Sequence, residues 1–295
     1  MSLETSSSLH PALSLGDTLP SENPQENGSH LYVSMSEMIM EHIFYHPEFN
    51  QVLDSLDSVQ TTSIQAILGD SSVDEHFVST LVEQIKAASS DSHTTIRIGL
   101  SNADSYAFSS LLGGSADVTE VNPALGLRGV SRYASAQFSL TFALECKVIQ
   151  SLQEQGLTVE IVVPFVRALS DAAKIIDLLA EQGLPRGLNG LKVLYTVDVP
   201  SSALLAERLL HYFDGVVINL ENLAQFTLGV DRLNESLEYL FDPQSEAVID
   251  LIDMAVKSAQ ASNKPVIIVS SGLANYKKIQ EYIVENGQLD AVVTM

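Results

Sequence analysis

From residue 94 onward, short apolar runs alternate with longer amphipathic stretches. The runs are Thr95–Leu100, Thr158–Pro164, Leu191–Val197, Gly215–Asn219, Pro265–Val269 and Asp290–Thr294. Helical periodicity fills the gaps at 132–155, 169–182, 201–212, 244–262 and 273–286. Strands that alternate with helices predict parallel β-α units, and runs that are apolar throughout predict burial on both faces. Leu31–Met35 and a short stretch near Ala124–Leu127 bring the count to eight strands, which points to an α/β (β/α)8 TIM barrel. An open doubly wound sheet is the alternative. No glycine-rich dinucleotide fingerprint follows any of the runs.

The flanks differ from this alternation. Residues 47–92 carry helical patterns with many polar positions and read as a helical insertion after strand 1. Residues 1–29 are rich in Ser, Pro, Gly, Asn and Glu, lack periodicity, and read as a disordered segment before a single barrel domain at 30–295. The chain stops at Met295 just after the eighth run, where a barrel of this class adds a last helix. The N-terminal segment, the insertion or a second subunit is therefore expected to cover that surface, and a homo-oligomer or a partner protein is expected.

Composition narrows the partners. Fifteen basic residues against 37 acidic ones give a formal charge of −22, so a nucleic-acid partner is not expected. Screening beyond roughly 8 Å still lets a local arginine cluster hold an anion in such a field. Cys146 is the sole cysteine and falls in an apolar helical pattern, which predicts a buried packing residue and a reducing, cytoplasmic setting. No apolar run reaches the roughly 20 residues of a membrane span, and no signal peptide is apparent.

Candidate chemistry begins at 122–133, Asn-Pro-Ala-Leu-Gly-Leu-Arg-Gly-Val-Ser-Arg-Tyr. Pro123, Gly126 and Gly129 impose an unusual backbone path, and Arg128 is held within it, a planar charged fork suited to phosphate or carboxylate. In a parallel barrel, ligands meet the carboxyl ends of strands. Arg97 lies on the second predicted strand, Arg128 follows the third, Arg167 the fourth and Asp198 the fifth. Asn219, Glu221 and Asn222 follow the sixth, and Ser270 and Ser271 the seventh. Three arginines and two carboxylates describe a site for a small anion with a divalent cation such as Mg²⁺. Each residue also has a plainer reading. Arg97 can salt-bridge inside the barrel, Arg167 can flank a helix, and Asp198 can cap one. Glu221 and Asn222 can be first-turn residues. His46, His76, His93 and His211 share no spacing, and no Ser-His-Asp or Cys/His cluster is visible.

The window is not isolated. Further stretches follow in order: Phe-Ala-Leu-Glu-Cys (142–146), Val-Glu-Ile-Val-Val-Pro-Phe-Val-Arg (159–167), residues 178–192, Pro-Ser-Ser-Ala-Leu-Leu-Ala-Glu (200–207), Tyr-Phe-Asp-Gly (212–215) and Thr-Leu-Gly-Val-Asp-Arg (227–232). Together they resemble the phosphoenolpyruvate- and pyruvate-binding barrel of the phosphoenolpyruvate synthases, which pyruvate phosphate dikinase shares. The resemblance is strong over 120–295, weak over 30–119 and absent over 1–29. It implies the same barrel, with substrate contacts at Arg97, Arg128, Asn219, Gln225 and Ser270. It implies Mg²⁺ ligands at Asp198 and Glu221, and a ligand such as phosphoenolpyruvate or pyruvate.

The family pattern is broken at its chemistry. The arginine that follows the family's first strand falls at about Ser34. The family's fifth-strand glutamate is Asp198, and its sixth-strand metal aspartate is Asn222, with Glu221 one place earlier. The cysteine that protonates the enolate is Val269, which cannot move a proton. The resemblance implies no nucleotide-binding or phosphohistidine part in this chain, so it is not expected to run the ATP-dependent reaction alone. The leading expectation is a catalytically degenerate barrel, a pseudoenzyme that still binds a small anion or serves as an interaction module. The alternatives are a Mg²⁺-dependent lyase or phosphotransferase acting on a 2-oxo acid, and a phosphotransferase half that works with a separate phosphohistidine protein.

Overall fold

A computed structural model of the chain describes residues 8–21, 28–287 and 289–294. Eight parallel strands close into a barrel: β1 (Ser14–Leu19), β2 (His30–Ser34), β3 (Thr95–Gly99), β4 (Val159–Val163), β5 (Lys192–Val197), β6 (Val216–Asn219), β7 (Val266–Ser270) and β8 (Leu289–Val293). The seam is closed by β8 on β1, with Ser14 opposite Asp290 and Gly16 opposite Val292. The expected (β/α)8 architecture is therefore present.

One strand is not where the pattern puts it. Ala124–Leu127 is not a strand, and Pro123–Leu125 forms a 3-10 turn. Pro123 removes a backbone donor there, and Leu125 stands exposed. The missing strand is β1, drawn from the segment expected to be disordered. Residues 1–7 and 22–27 of that segment lie outside the described residues. Arg97 consequently sits on the third strand of the barrel.

The strands are sandwiched as their apolar runs require. Outward residues such as Ile98, Ile161, Val193 and Ile218 join a large core under the helices. Inward residues, among them Tyr32, Val162, Leu194, Val217, Ile267, Val269 and Val292, form a separate inner cluster. That split is the barrel's two-layer packing. Residues 47–92 carry two capped helices. Asp57 accepts from the Gln60 N–H at 2.7 Å to start Ser58–Leu68, and Ser72 and Glu75 form a capping box at the head of Val73–Ala88. The second helix buries Phe77, Leu81, Val82 and Ile85 and packs on helix Ser139–Glu154, where Cys146 is buried. The N-terminal segment does some of the covering expected beside β8. Leu9 and Leu13 pack on the core, and the His10 N–H donates to Gln280 Oε1 of helix Lys277–Asn286 at 2.6 Å. Among the described residues, no helix is long and apolar enough to cross a membrane.

Candidate anion site at the barrel mouth

The long connection after β3 carries Arg128, and two close approaches dictate its glycines. A Cβ on Gly126 would sit 2.1 Å from Glu120 Oε1. Gly129 has φ +56°, and its Cβ would meet the Pro164 carbonyl oxygen at 2.3 Å. Glu120 fastens the turn by accepting from the Leu127 N–H at 2.9 Å and the Ser105 hydroxyl at 2.7 Å. Arg167 points into the same loop. It donates to the carbonyls of Arg128 (3.2 Å), Gly126 (3.3 Å) and Phe165 (3.4 Å). It therefore staples the loop and is not a surface flank. Phe165, at φ +53° just after β4, places its ring under Arg128, whose guanidinium carbon lies 4.2 Å from the ring centroid.

Arg128 is nearly buried. Its Nε–H donates to the Asn102 carbonyl at 2.9 Å and Nη1 to the Ala124 carbonyl at 3.4 Å. Nη2 has no partner among the described residues. Burial lowers its pKa to about 10, opposed by the charges of Asp198 and Asp104, so it stays a cation near neutral pH.

Asp198, at the end of β5, is fully buried and saturated with donors. Oδ2 accepts from the Phe165 N–H at 2.8 Å and from the Thr196 hydroxyl, and Oδ1 accepts from Asn222 Nδ2 at 2.7 Å. It does not cap the next helix. Asn222 is held in turn by Asn219, whose Oδ1 caps helix Leu220–Leu228 through the Asn222 N–H at 3.1 Å. Glu221 belongs to a different cluster. Its Oε1 accepts from the Ser270 hydroxyl at 2.6 Å and the Gly272 N–H at 3.1 Å, tying the end of β6 to the end of β7. Ser270 is fully buried, with its hydroxyl committed to that bond, so it is not an open ligand contact. Gln225 holds the Arg232 N–H at 3.1 Å. It also lines a cavity of about 450 Å³ with Asn122, Leu125 and Phe226, between the Arg128 loop and helix Leu220–Leu228. Val269 faces the inner cluster, in register with Asn219 and Val292.

Arg97 is the main correction. It is in register with Tyr32 and Glu160 on the inner face, and its Nε–H donates to Glu160 Oε2 at 2.9 Å. Glu160 also takes Lys192 at 3.2 Å, at the first residue of β5. The charge of Arg97 acts on His30 at the start of β2, whereas the charges acting on Arg128 are those of Asp198, Asp104, Arg232 and Arg167. The salt-bridge reading of Arg97 therefore holds for its Nε, while Nη1 is buried without a partner among the described residues.

Asp198 and Glu221 are bonded within two different clusters, which is not a preformed two-carboxylate cradle for a divalent cation. Both oxygens of Asp198 are taken by neutral donors, an amide stands where a second carboxylate would, and Glu221 is bonded elsewhere. Among the described residues, no group of three His, Cys, Asp or Glu side chains can hold a metal. The missed residues are Tyr32, Thr196, Glu160 and Phe165. Strict alternation from Leu31 would have put Tyr32 indoors. The contacts of the others depend on register between strands distant in sequence.

The fold is thus a closed barrel of parallel strands that presents a buried arginine on a glycine-bounded loop. The chain belongs to the PEP-utilising enzyme family, PEP-binding domain, whose pattern matches residues 35–292. It is 36% identical over 238 residues to phosphoenolpyruvate synthase of Escherichia coli strain K12, covering 79% of this chain and 30% of that protein. It is 39% identical over 214 residues to phosphoenolpyruvate synthase of Deinococcus radiodurans, covering 72% and 27%. The Neisseria meningitidis serogroup B phosphoenolpyruvate synthase is 36% identical over 259 residues, covering 86% and 32%. The chain thus spans about a third or less of these relatives.

Proposed function

We propose that the barrel mouth binds a small phospho- or carboxylate ligand, such as phosphoenolpyruvate or pyruvate, through Arg128. Binding uses no divalent cation and is not followed by the turnover that the relatives' name describes. The observation that carries this reading is the 2.7 Å bond from Asn222 Nδ2 to Asp198 Oδ1. Two carboxylates facing each other need a cation between them, whereas an amide and a carboxylate satisfy each other directly. Val269 supplies no proton, and Ser34 at the end of β2 supplies no cation, which agrees with a site that holds without reacting. The frame around Arg128 is nevertheless intact, with one guanidinium nitrogen open.

Thermal unfolding with phosphoenolpyruvate, pyruvate and oxalate tests this. A ligand at a hundred times its Kd stabilises by about 2.7 kcal/mol. The wild type is expected to shift with at least one of the three and Arg128→Gln with none, while Arg128→Gln retains its fold by circular dichroism. No shift by wild type, or an unchanged shift in the variant, contradicts the site. Turnover of pyruvate or phosphoenolpyruvate with Mg²⁺ would favour the lyase or phosphotransferase reading.

A further inference from the structure

One buried polar group at the mouth is unused by anything above. Tyr32, on β2, packs its ring in the inner layer beside Val162, Val269 and Val292 and is 8% exposed. Its hydroxyl lies where a side chain on Gly99 would go, 2.9 Å from the position of a Cβ there. Gly99 is opposite Ser34 on β2 and opposite Val162 on β4, at the last residue of β3 and two residues beyond Arg97. The ring therefore leans toward the carboxyl end of the barrel, over a backbone position kept bare for it. After burial, the negative charges of Asp198 and Glu37 are what hold the phenol protonated. Asp198 also acts on Arg128, so both groups lie near the same carboxylate.

Among the described residues the Tyr32 hydroxyl has no protein hydrogen-bond partner, and the oxygen is not sealed from solvent as the ring is, so it faces the open space of the barrel. The Asp198 oxygens accept from Phe165, Thr196 and Asn222 and not from Tyr32. What remains is an O–H donor that stays protonated, on the inner face of the barrel, under the same Asp198 charge that acts on Arg128.

We propose that the Tyr32 hydroxyl is a second ligand contact, donating a hydrogen bond from inside the barrel to an oxygen of the small anion that Arg128 holds at the mouth. The proposal rests on the anion-site reading above. It narrows the ligand class to oxyanions with at least two separated acceptor oxygens, one for each donor, as in oxalate or an enol phosphate.

Oxalate is the probe. Tyr32→Phe keeps the ring and its packing and removes only the donor. The variant is expected to bind oxalate about tenfold more weakly by calorimetry, a loss of about 1.4 kcal/mol, with its melting temperature in the absence of ligand close to wild type. Wild-type affinity in Tyr32→Phe, with binding lost in Arg128→Gln, overturns the role of Tyr32 and leaves the anion site standing. Failure of the wild type to bind oxalate overturns the Tyr32 contact, and failure to bind phosphoenolpyruvate and pyruvate as well overturns the anion site. A second measurement needs no variant. The chain has no tryptophan, so its near-ultraviolet absorbance is dominated by tyrosine. A phenol that gains an anionic acceptor is expected to give a red-shifted difference band on oxalate addition, which Tyr32→Phe abolishes. A flat difference spectrum at saturating oxalate contradicts the contact.

Discussion

Two groups of buried charge line the same barrel and do different work. Around Arg97, a carboxylate meets two cations and two imidazoles lie beside carboxylates: Glu160 takes Arg97 and Lys192, Asp17 bonds the His93 ring at 2.7 Å, and Asp290 lies 4.0 Å from the His30 ring. At the mouth, charge meets neutral donors: Asp198 is satisfied by a backbone N–H, a hydroxyl and an amide, and Glu221 by a hydroxyl and a backbone N–H. The first arrangement pairs its arginine with a carboxylate through Nε, although Nη1 is buried without a partner among the described residues. The second leaves Arg128 without a carboxylate bonded to it and therefore available. An arginine inside a barrel is thus not evidence of a ligand site until its partners are known.

The contrast breaks most sharply at Arg97. Arg97→Met leaves Glu160 buried in the barrel with only the half-exposed Lys192 beside it. Loss of one partner of a buried pair costs about 3 kcal/mol. Denaturant unfolding is expected to show that loss, while oxalate affinity of the folded variant stays near wild type. Unchanged stability with lost oxalate binding would move Arg97 to the mouth's machinery.

At the mouth itself, Asn222→Asp sets two buried carboxylates against each other. A loss of about 2 kcal/mol is expected near neutral pH, by analogy with an unpaired buried charge. The cost falls as pH drops and one carboxylate takes a proton, and Mg²⁺ is expected to restore part of the melting temperature in the variant but not in wild type. A wild type stabilised by Mg²⁺ as much as the variant would mean that the amide does not replace a cation.

The smallest effect concerns the seam. His30 is buried with Nε2 unpartnered among the described residues, and burial, followed by the Arg97 charge, lowers its pKa from 6.5 to about 4. The folded state therefore favours the neutral ring. Its contribution is complete above pH 6.5 and is lost as pH falls through the window from 6.5 toward 4. Linkage gives about 1 kcal/mol of lost stability between pH 7.5 and 5.5. The slope in that window is expected to shrink in His30→Gln, and an identical slope would assign it to another group.

The strands β2 to β8 were legible because each run is mostly apolar and buried on both faces. β1 was not, since Ser14–Leu19 holds serine, glycine, aspartate and threonine, and its strand state comes from pairing with β2 and β8 across the seam. Ala124–Leu127 misled because three apolar residues in a tight turn look like a short strand. The Arg128 loop was readable from Pro123, Gly126 and Gly129, since steric demands of that kind are local. The fates of Arg97, Ser270 and Glu221 were not, because they depend on which residues lie in register on neighbouring strands. Arg97 had the right residue type at a strand position, and Glu160 opposite it decided otherwise.

The most direct test is calorimetric titration of oxalate into the wild-type protein, once in excess chelator and once in millimolar Mg²⁺. The account predicts the same Kd in both, carried by Arg128. Binding seen only with Mg²⁺ would contradict it.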